Sequence, residues 1–202
     1  MPEISTALPI LALVVCLGYL LGSVPFGIVI SRAFGLGDLR AIGSGNIGAT
    51  NVLRTGNKPA AFLTLVLDSG KGAIAVLLAR YLVGEDAAQL AGFAAFLGHC
   101  FPVWLAFKGG KGVATFLGTV LALNLAAGAF ACVVWLAFAI IFRMSSLAGL
   151  AAAALVPVGL LLLGMPSMIV LTIALGALVW LRHTTNIKRI LNGTETKIGQ
   201  KS

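Results

Sequence analysis

The sequence predicts an all-α integral membrane protein of seven transmembrane helices, one of them short, with its N-terminus outside and its C-terminus cytoplasmic. Three observations carry this. Of the 202 residues, 59% are hydrophobic and 10% are charged, far from the balance of a soluble domain of this length. The apolar residues gather into runs long enough to cross a bilayer. The basic residues fall on alternate connections between those runs, as the positive-inside rule requires.

The first run covers residues 7–30. Glu3 precedes it where a secretory leader would be basic, and the run exceeds a leader's apolar core, so it reads as an uncleaved span. Pro25 and flanking glycines in "GSVPFG", residues 22–27, break its far end; irregular backbone at that depth must face protein or a wet cavity. Runs at 60–83 and 87–107 follow. The next, 113–142, holds 30 residues; at about 1.5 Å each it would reach roughly 45 Å, against a hydrocarbon core of about 30 Å. Asn124 and Gly128 mark the natural division, into a short span at 113–123 and a full one at 126–142. Runs at 146–163 and 165–181 complete the set. With this division, segments 31–58, 108–112, 143–145 and 182–202 share one side and carry four, two, one and five of the 14 Lys and Arg, while Glu3, Glu85 and Asp86 lie opposite. Undivided, the run would put Arg143 and the basic tail on different sides. Residues 1–202 therefore read as a single polytopic domain. Topology accounts for the net charge of +8, so no nucleic-acid partner is expected. Cys16, Cys100 and Cys132 sit in separate apolar runs without ligand spacing and read as packing residues. The acids are few and scattered, and neither a metal nor a cofactor is expected.

The polar stretches gather on the basic side. In "GSGNIGATN", residues 43–51, Gly43, Gly45 and Gly48 let backbone N–H groups converge on an anion, and Ser44, Asn46, Thr50 and Asn51 add side-chain donors. Arg54 follows with a two-pronged cation. Ala49 stands where a Walker loop has Lys, so this is not that motif. In "KGGKG", Lys108, Gly109, Gly110, Lys111 and Gly112 open directly into the short span, where a helix N-terminus favours an anion. In "RHTTNIKRI", Arg182, Asn186 and Arg189 share a helix face, with His183 beside Asn186. In "LDSGKG", Asp68 and Lys71 stand at i and i+3 inside the second span, as an internal ion pair or as substrate contacts. On residues alone each motif also has a plain reading, as a connecting turn, a positive anchor or a solvated helix end. Together they describe an anion-binding cavity open to lipid. A small anion transporter could use the same features, but it would call for a polar path to both faces and an internal repeat; Arg80 is the one basic residue near the outer side, and the flanking spans do not repeat.

"GSVPFG", "GSGNIGATNVLR", "LDSGKG", "FKGGKGVAT" and "RHTTNIKRILNGTE", in this order on this pattern of spans, closely resemble the bacterial membrane acyl-phosphate:glycerol-3-phosphate acyltransferases. The resemblance covers nearly the whole chain. It implies transfer of a fatty acyl group from acyl phosphate to the 1-hydroxyl of sn-glycerol 3-phosphate, giving lysophosphatidic acid and inorganic phosphate, in the bacterial inner membrane with the active site facing the cytoplasm. It implies functional roles for Ser44, Arg54, the glycines of 108–112 with Lys111, His183 and Asn186, a structural role for Glu195 and a lesser substrate contact at Ser146. No obligatory protein partner is implied. The chemistry agrees with the residues. Both substrates carry phosphate, and Arg54, Lys71, Lys108, Lys111 and Arg182 supply cations. Acyl phosphate already has a good leaving group, so positioning and charge stabilisation are the chief tasks. The proton acceptor is either the substrate's own phosphate or His183. No Ser-His-Asp arrangement is evident, and His99 and His183 are followed four residues beyond the next by Trp104 and Lys188, not by the Asp of other glycerolipid acyltransferases.

Overall fold

The computed structural model describes residues 2–200, which form ten α-helices joined by turns and by two longer loops, 34–48 and 101–112. The first apolar run becomes two helices, α1 (Leu8–Gly22) and α2 (Phe26–Ala33). Pro25 caps α2; it lacks an N–H and disfavours helical backbone in the residue before it, so α1 cannot run through. The long connection folds into a tight loop and one short helix, α3 (Ala49–Leu53). Helix α4 (Lys58–Leu82) begins where the Asn57 side chain accepts from Ala60 N at 3.0 Å. Helix α5 (Glu85–Cys100) ends just before Pro102.

The division at Asn124 is present. Helices α6 (Val113–Leu123) and α7 (Leu125–Phe142) meet there, and the Asn124 side chain caps α7 by accepting from Ala127 N at 3.0 Å. Helix α8 (Ser145–Leu162) follows, then α9 (Ile169–Arg182) and α10 (Thr184–Leu191), the last two stretches bent by 64° about His183. Five stretches are long and apolar enough to cross a membrane, and a sixth if that bent pair counts as one. Large apolar side chains on the outer faces, such as Val133, Ile140 and Ile141 of α7, stay exposed, as a lipid-facing surface requires. The chain is a multi-pass membrane protein.

Small residues bring the helices together, since lipid supplies no hydrophobic drive between them. Helix α1 lies against α5 at Gly22 and Gly98; a methyl group on either would collide with backbone, at Ala95 O and Tyr19 O respectively. Helix α6 lies against α4 in the same way: a methyl on Gly118 would strike Ser69 O, and Thr115 Oγ1 donates to Asp68 O at 2.9 Å. At its far end the Arg80 guanidinium takes Ala122 O and Leu123 O at 2.7 and 2.9 Å, satisfying carbonyls that the helix end leaves bare. Eleven residues reach only about 16 Å, so with α6 pinned beside Arg80, its N-terminus stands at mid-depth in the bundle. The principal core joins α5, α6, α7, α8 and α9 around Phe96, Phe116, Val156 and Leu175.

Candidate active site

One side chain orders the first loop. Asn51, buried, donates Nδ2 to Leu39 O (2.8 Å) and Ile42 O (3.1 Å), and its Oδ1 accepts from Ser44 N and Arg54 Nη1, both at 3.2 Å. Ser44 and Arg54 are thus set by a single amide. Gly43 turns at φ +52°, and a side chain there would run into Asn51 and Arg54. Among the described residues, the N–H groups of Gly48, Ala49 and Thr50 have no acceptor.

The second loop departs from expectation in detail. Gly109 and Gly110 do not offer free N–H groups; they donate to Cys100 O and His99 O at 3.1 Å each. Arg182 grips the same residues from the other side, Nε to Gly110 O at 3.1 Å and Nη2 to Gly109 O at 2.9 Å. The unclaimed donors come one step later. Among the described residues, the N–H groups of Lys111, Gly112, Val113 and Ala114 have no acceptor, so the positive end of α6 points its donors into the cavity. Burial pushes the Lys111 ammonium down to about 8, Glu195 opposing and Arg189, Arg54 and Arg182 adding to the shift.

His183 occupies the break after α9, buried, with Nδ1 2.7 Å from Val179 O. A carbonyl only accepts, so Nδ1 carries the proton and Nε2 presents a lone pair. Burial lowers its pKa to about 4, the Val179 hydrogen bond opposing; the ring is neutral at pH 7. The tail folds back onto this break. Glu195 accepts from Ser146 Oγ (2.6 Å), Asn186 Nδ2 (2.6 Å) and Arg189 Nε (2.7 Å), and Thr196 Oγ1 accepts from Arg54. Burial raises the Glu195 pKa, but these hydrogen bonds outweigh it and hold the carboxyl below its ordinary value. Glu195 is therefore a clamp joining α8 to α10, and the neighbouring Thr196 ties the tail to the first loop through Arg54. Burial lowers the Arg54 pKa despite Glu195 nearby, and an arginine remains charged.

A cavity of about 920 Å³ opens among these pieces. Ser44, Asn46, Gly48, Thr50, Asn51, Arg54, Lys111, Gly112, Ser146, His183, Asn186, Asp68 and Glu195 all line it. From this polar end it continues between α4, α6 and α7 past Leu117, Leu121, Leu77, Trp135 and Leu136, a groove suited to an alkyl chain. A smaller cavity of about 280 Å³ shares Ser44, Asn46 and Lys111 and adds Gly45, Gly109, Arg182, Thr184 and Thr185.

Four expected anion-binding residues lie on neither wall. Lys71, far from reaching phosphate, contacts Asp68 Oδ1 at 2.9 Å and donates to Val24 O at 2.9 Å; the internal ion pair is the arrangement present. The Lys108 side chain is exposed and its carbonyl accepts from Arg40 Nη2 at 3.0 Å. Gly43 and Gly110 shape the loops from beneath. Conversely, His99, Ser69, Trp135 and Thr196 border or brace the site and were not anticipated. His99 carried a usable signal, an ionisable group at membrane depth, the same that marked Asp68.

Residues 12–193 match the family described as glycerol-3-phosphate acyltransferase. The chain is 68% identical to the glycerol-3-phosphate acyltransferase of Jannaschia sp. (strain CCS1), over 100% of this chain and 99% of that one. It is 64% identical to that of Cereibacter sphaeroides (strain ATCC 17025 / ATH 2.4.3), over 100% and 96%. It also resembles the crystal structure of PlsY (YgiH), an integral membrane glycerol 3-phosphate acyltransferase, in its glycerol 3-phosphate form, with a TM-score of 0.88 and 42% identity over 94% of this chain and 96% of that one. The lysophosphatidic acid form gives 0.84 and 39%, over 94% and 95%. A polar chamber built from the three glycine-rich and basic motifs, opening into an apolar groove, accords with these likenesses, and the chain belongs to the glycerol-3-phosphate acyltransferase family.

Proposed function

We propose that the protein transfers a fatty acyl group from acyl phosphate to the 1-hydroxyl of sn-glycerol 3-phosphate, releasing lysophosphatidic acid and inorganic phosphate. The carrying observation is the larger of the two cavities described, whose polar end holds Ser44, Arg54, Lys111, His183 and Asn186 and whose far end is an alkyl groove along α6 and α7. One substrate is wholly polar, the other is a phosphate on a fatty chain, and the two ends match them.

In this reading the acyl phosphate lies with its chain in the groove and its phosphate at the N-terminus of α6, against the N–H groups of Gly112, Val113 and Ala114. Arg54, Lys111 and the first loop hold the glycerol phosphate. The 1-hydroxyl oxygen attacks the acyl carbon, the bond from that carbon to the phosphate oxygen breaks, and phosphate leaves with the electron pair. The donors at α6 stabilise the charge that develops on the carbonyl and leaving oxygens. The hydroxyl proton passes to the phosphate of glycerol 3-phosphate, whose second pKa lies near 6. The bare His183 Nε2 accepts a hydrogen bond that orients the glycerol; an imidazole titrating at about 4 is a weak base at neutral pH. Val179 O fixes the His183 ring, Asn51 and Thr196 fix Arg54, and Glu195 holds Asn186 beside them.

The same reading takes α6 as a seventh, short crossing, with the N-terminus outside and the C-terminus and active site on the cytoplasmic side of the bacterial inner membrane, all 202 residues acting as one domain. The basic loops around the cavity support that orientation. The deciding assay supplies acyl phosphate and glycerol 3-phosphate to the purified protein in lipid and follows phosphate and lysophosphatidic acid together. Phosphate release independent of glycerol 3-phosphate would refute the reaction. His183→Ala is expected to raise KM for glycerol 3-phosphate chiefly; abolished turnover at normal saturation by both substrates would make His183 the base.

A further inference from the structure

Asp68, Lys71 and His99 form a buried cluster that the reaction does not use directly. Their side chains are 3%, 1% and 5% exposed, Asp68 Oδ1 lying 2.9 Å from Lys71 Nζ and 3.5 Å from His99 Nδ1. Neither Asp68 Oδ1 nor His99 Nδ1 has an aligned hydrogen-bond partner among the described residues. Asp68 and Lys71 form an ion pair within α4, and the His99 ring of α5 packs against the same carboxylate oxygen. Burying two charges at membrane depth is unfavourable and gives poor support to stability by itself, so the cluster calls for another account.

Its surroundings supply one. His99 is the floor of the second loop. Its carbonyl takes Gly110 N at 3.1 Å, and a methyl group on Gly110 would meet the His99 ring, the three nearest atoms all belonging to that ring. The Arg182 guanidinium closes the loop from the opposite side through Gly109 O and Gly110 O. Asp68, the partner of His99, also receives Thr115 Oγ1 from the first turn of α6 on its own carbonyl. The cluster therefore touches both ends of the segment that carries Lys111 and the unclaimed N–H groups of 112–114.

We propose that Asp68, Lys71 and His99 are positioning residues that set the His99 ring beneath Gly110 and so aim the N-terminus of α6 at the phosphate of the acyl donor. This rests on the donor assignment proposed above. Asp68 and His99 also border the cavity, but the cluster acts through Gly110 and Thr115, and its effect is selective for the donor.

The test uses full-length protein in lipid and four variants, His99→Ala, Gly110→Ala, the double variant, and Asp68→Asn, which keeps shape while removing the charge beside His99. Partial misfolding lowers the apparent kcat but leaves both KM values alone, so KM is the readout. His99→Ala and Asp68→Asn are expected to raise KM for acyl phosphate about tenfold with KM for glycerol 3-phosphate within about twofold. Gly110→Ala is expected to be impaired at least as much, and the double variant to be no worse than His99→Ala, because the ring that obstructs the methyl is gone. Unchanged KM values in His99→Ala and Asp68→Asn, equal rises for both substrates, or multiplying effects in the double variant would overturn the proposal. Loss of all glycerol-3-phosphate-dependent phosphate release in the unmodified protein would instead refute the reaction, a distinct outcome.

Discussion

Arg54 shows how much a single side chain carries. Its Nη1 donates to Asn51 Oδ1 and its Nη2 to Thr196 Oγ1, so one planar fork joins the first loop, the tail and the cavity wall. Lysine keeps the charge but not the fork. Arg54→Lys is expected to lower kcat/KM for glycerol 3-phosphate about 10- to 100-fold, read by steady-state kinetics; wild-type kinetics would remove Arg54 from the phosphate grip. Lys111 makes a second prediction with a definite sign. Burial has brought its pKa down to about 8, so the free enzyme loses this positive charge as pH rises through that value, and anion affinity falls with it. KM for the phosphate substrates is expected to climb between about pH 7 and 9, and Lys111→Arg, which stays charged, is expected to flatten the climb. A KM that climbs equally in the Arg variant would assign the titration elsewhere. Both residues stood out in the sequence because they flank glycine runs. The role of Asn51 did not, since an amide that orders a loop and one that binds a ligand are the same letter.

Among the helices, α6 decides the most. Its eleven residues reach only about half the hydrocarbon thickness, and the excess length of the undivided apolar run already calls for one short span. What the run did not disclose is where the short helix stands. Gly118 against Ser69 O, Thr115 on Asp68 O and Arg80 on the last carbonyls place it along α4. Gly118→Leu must therefore push α6 from α4, and overpacking of this kind destabilises by about 1–3 kcal/mol; a lower melting temperature together with lost turnover is expected, and an unaltered melt would show that the pair can yield. The break at Pro25 was equally legible, because proline acts locally. The hydrogen bonds that occupy Gly109 and Gly110 were not, as their acceptors lie at the end of another helix.

For the molecule as a whole, the alternation of basic connections predicts a topology that reporter fusions can check. Fusions after Gly84 and Gly164 are expected to report the outer side, and fusions after Gly56 and Gly193 the cytoplasm; a C-terminal fusion active outside would contradict the seven-crossing arrangement. The sequence by itself determined the class of protein, nearly every helix, the division at Asn124 and the identity of the motifs, because hydropathy, proline and charge asymmetry act along the chain and the bilayer constrains them all alike. Only the tertiary structure decided which cations face the cavity. Lys71 and Lys108 have the same charge as Lys111, yet one is neutralised by Asp68, one points to solvent, and one lines the site. It also set Glu195 as the clamp over Ser146, Asn186 and Arg189 and put His99 under the second loop. The reason is physical: a charge acts over a few ångströms, and which groups come that close is fixed by how α4, α5, α6 and the tail pack, not by their order in the chain.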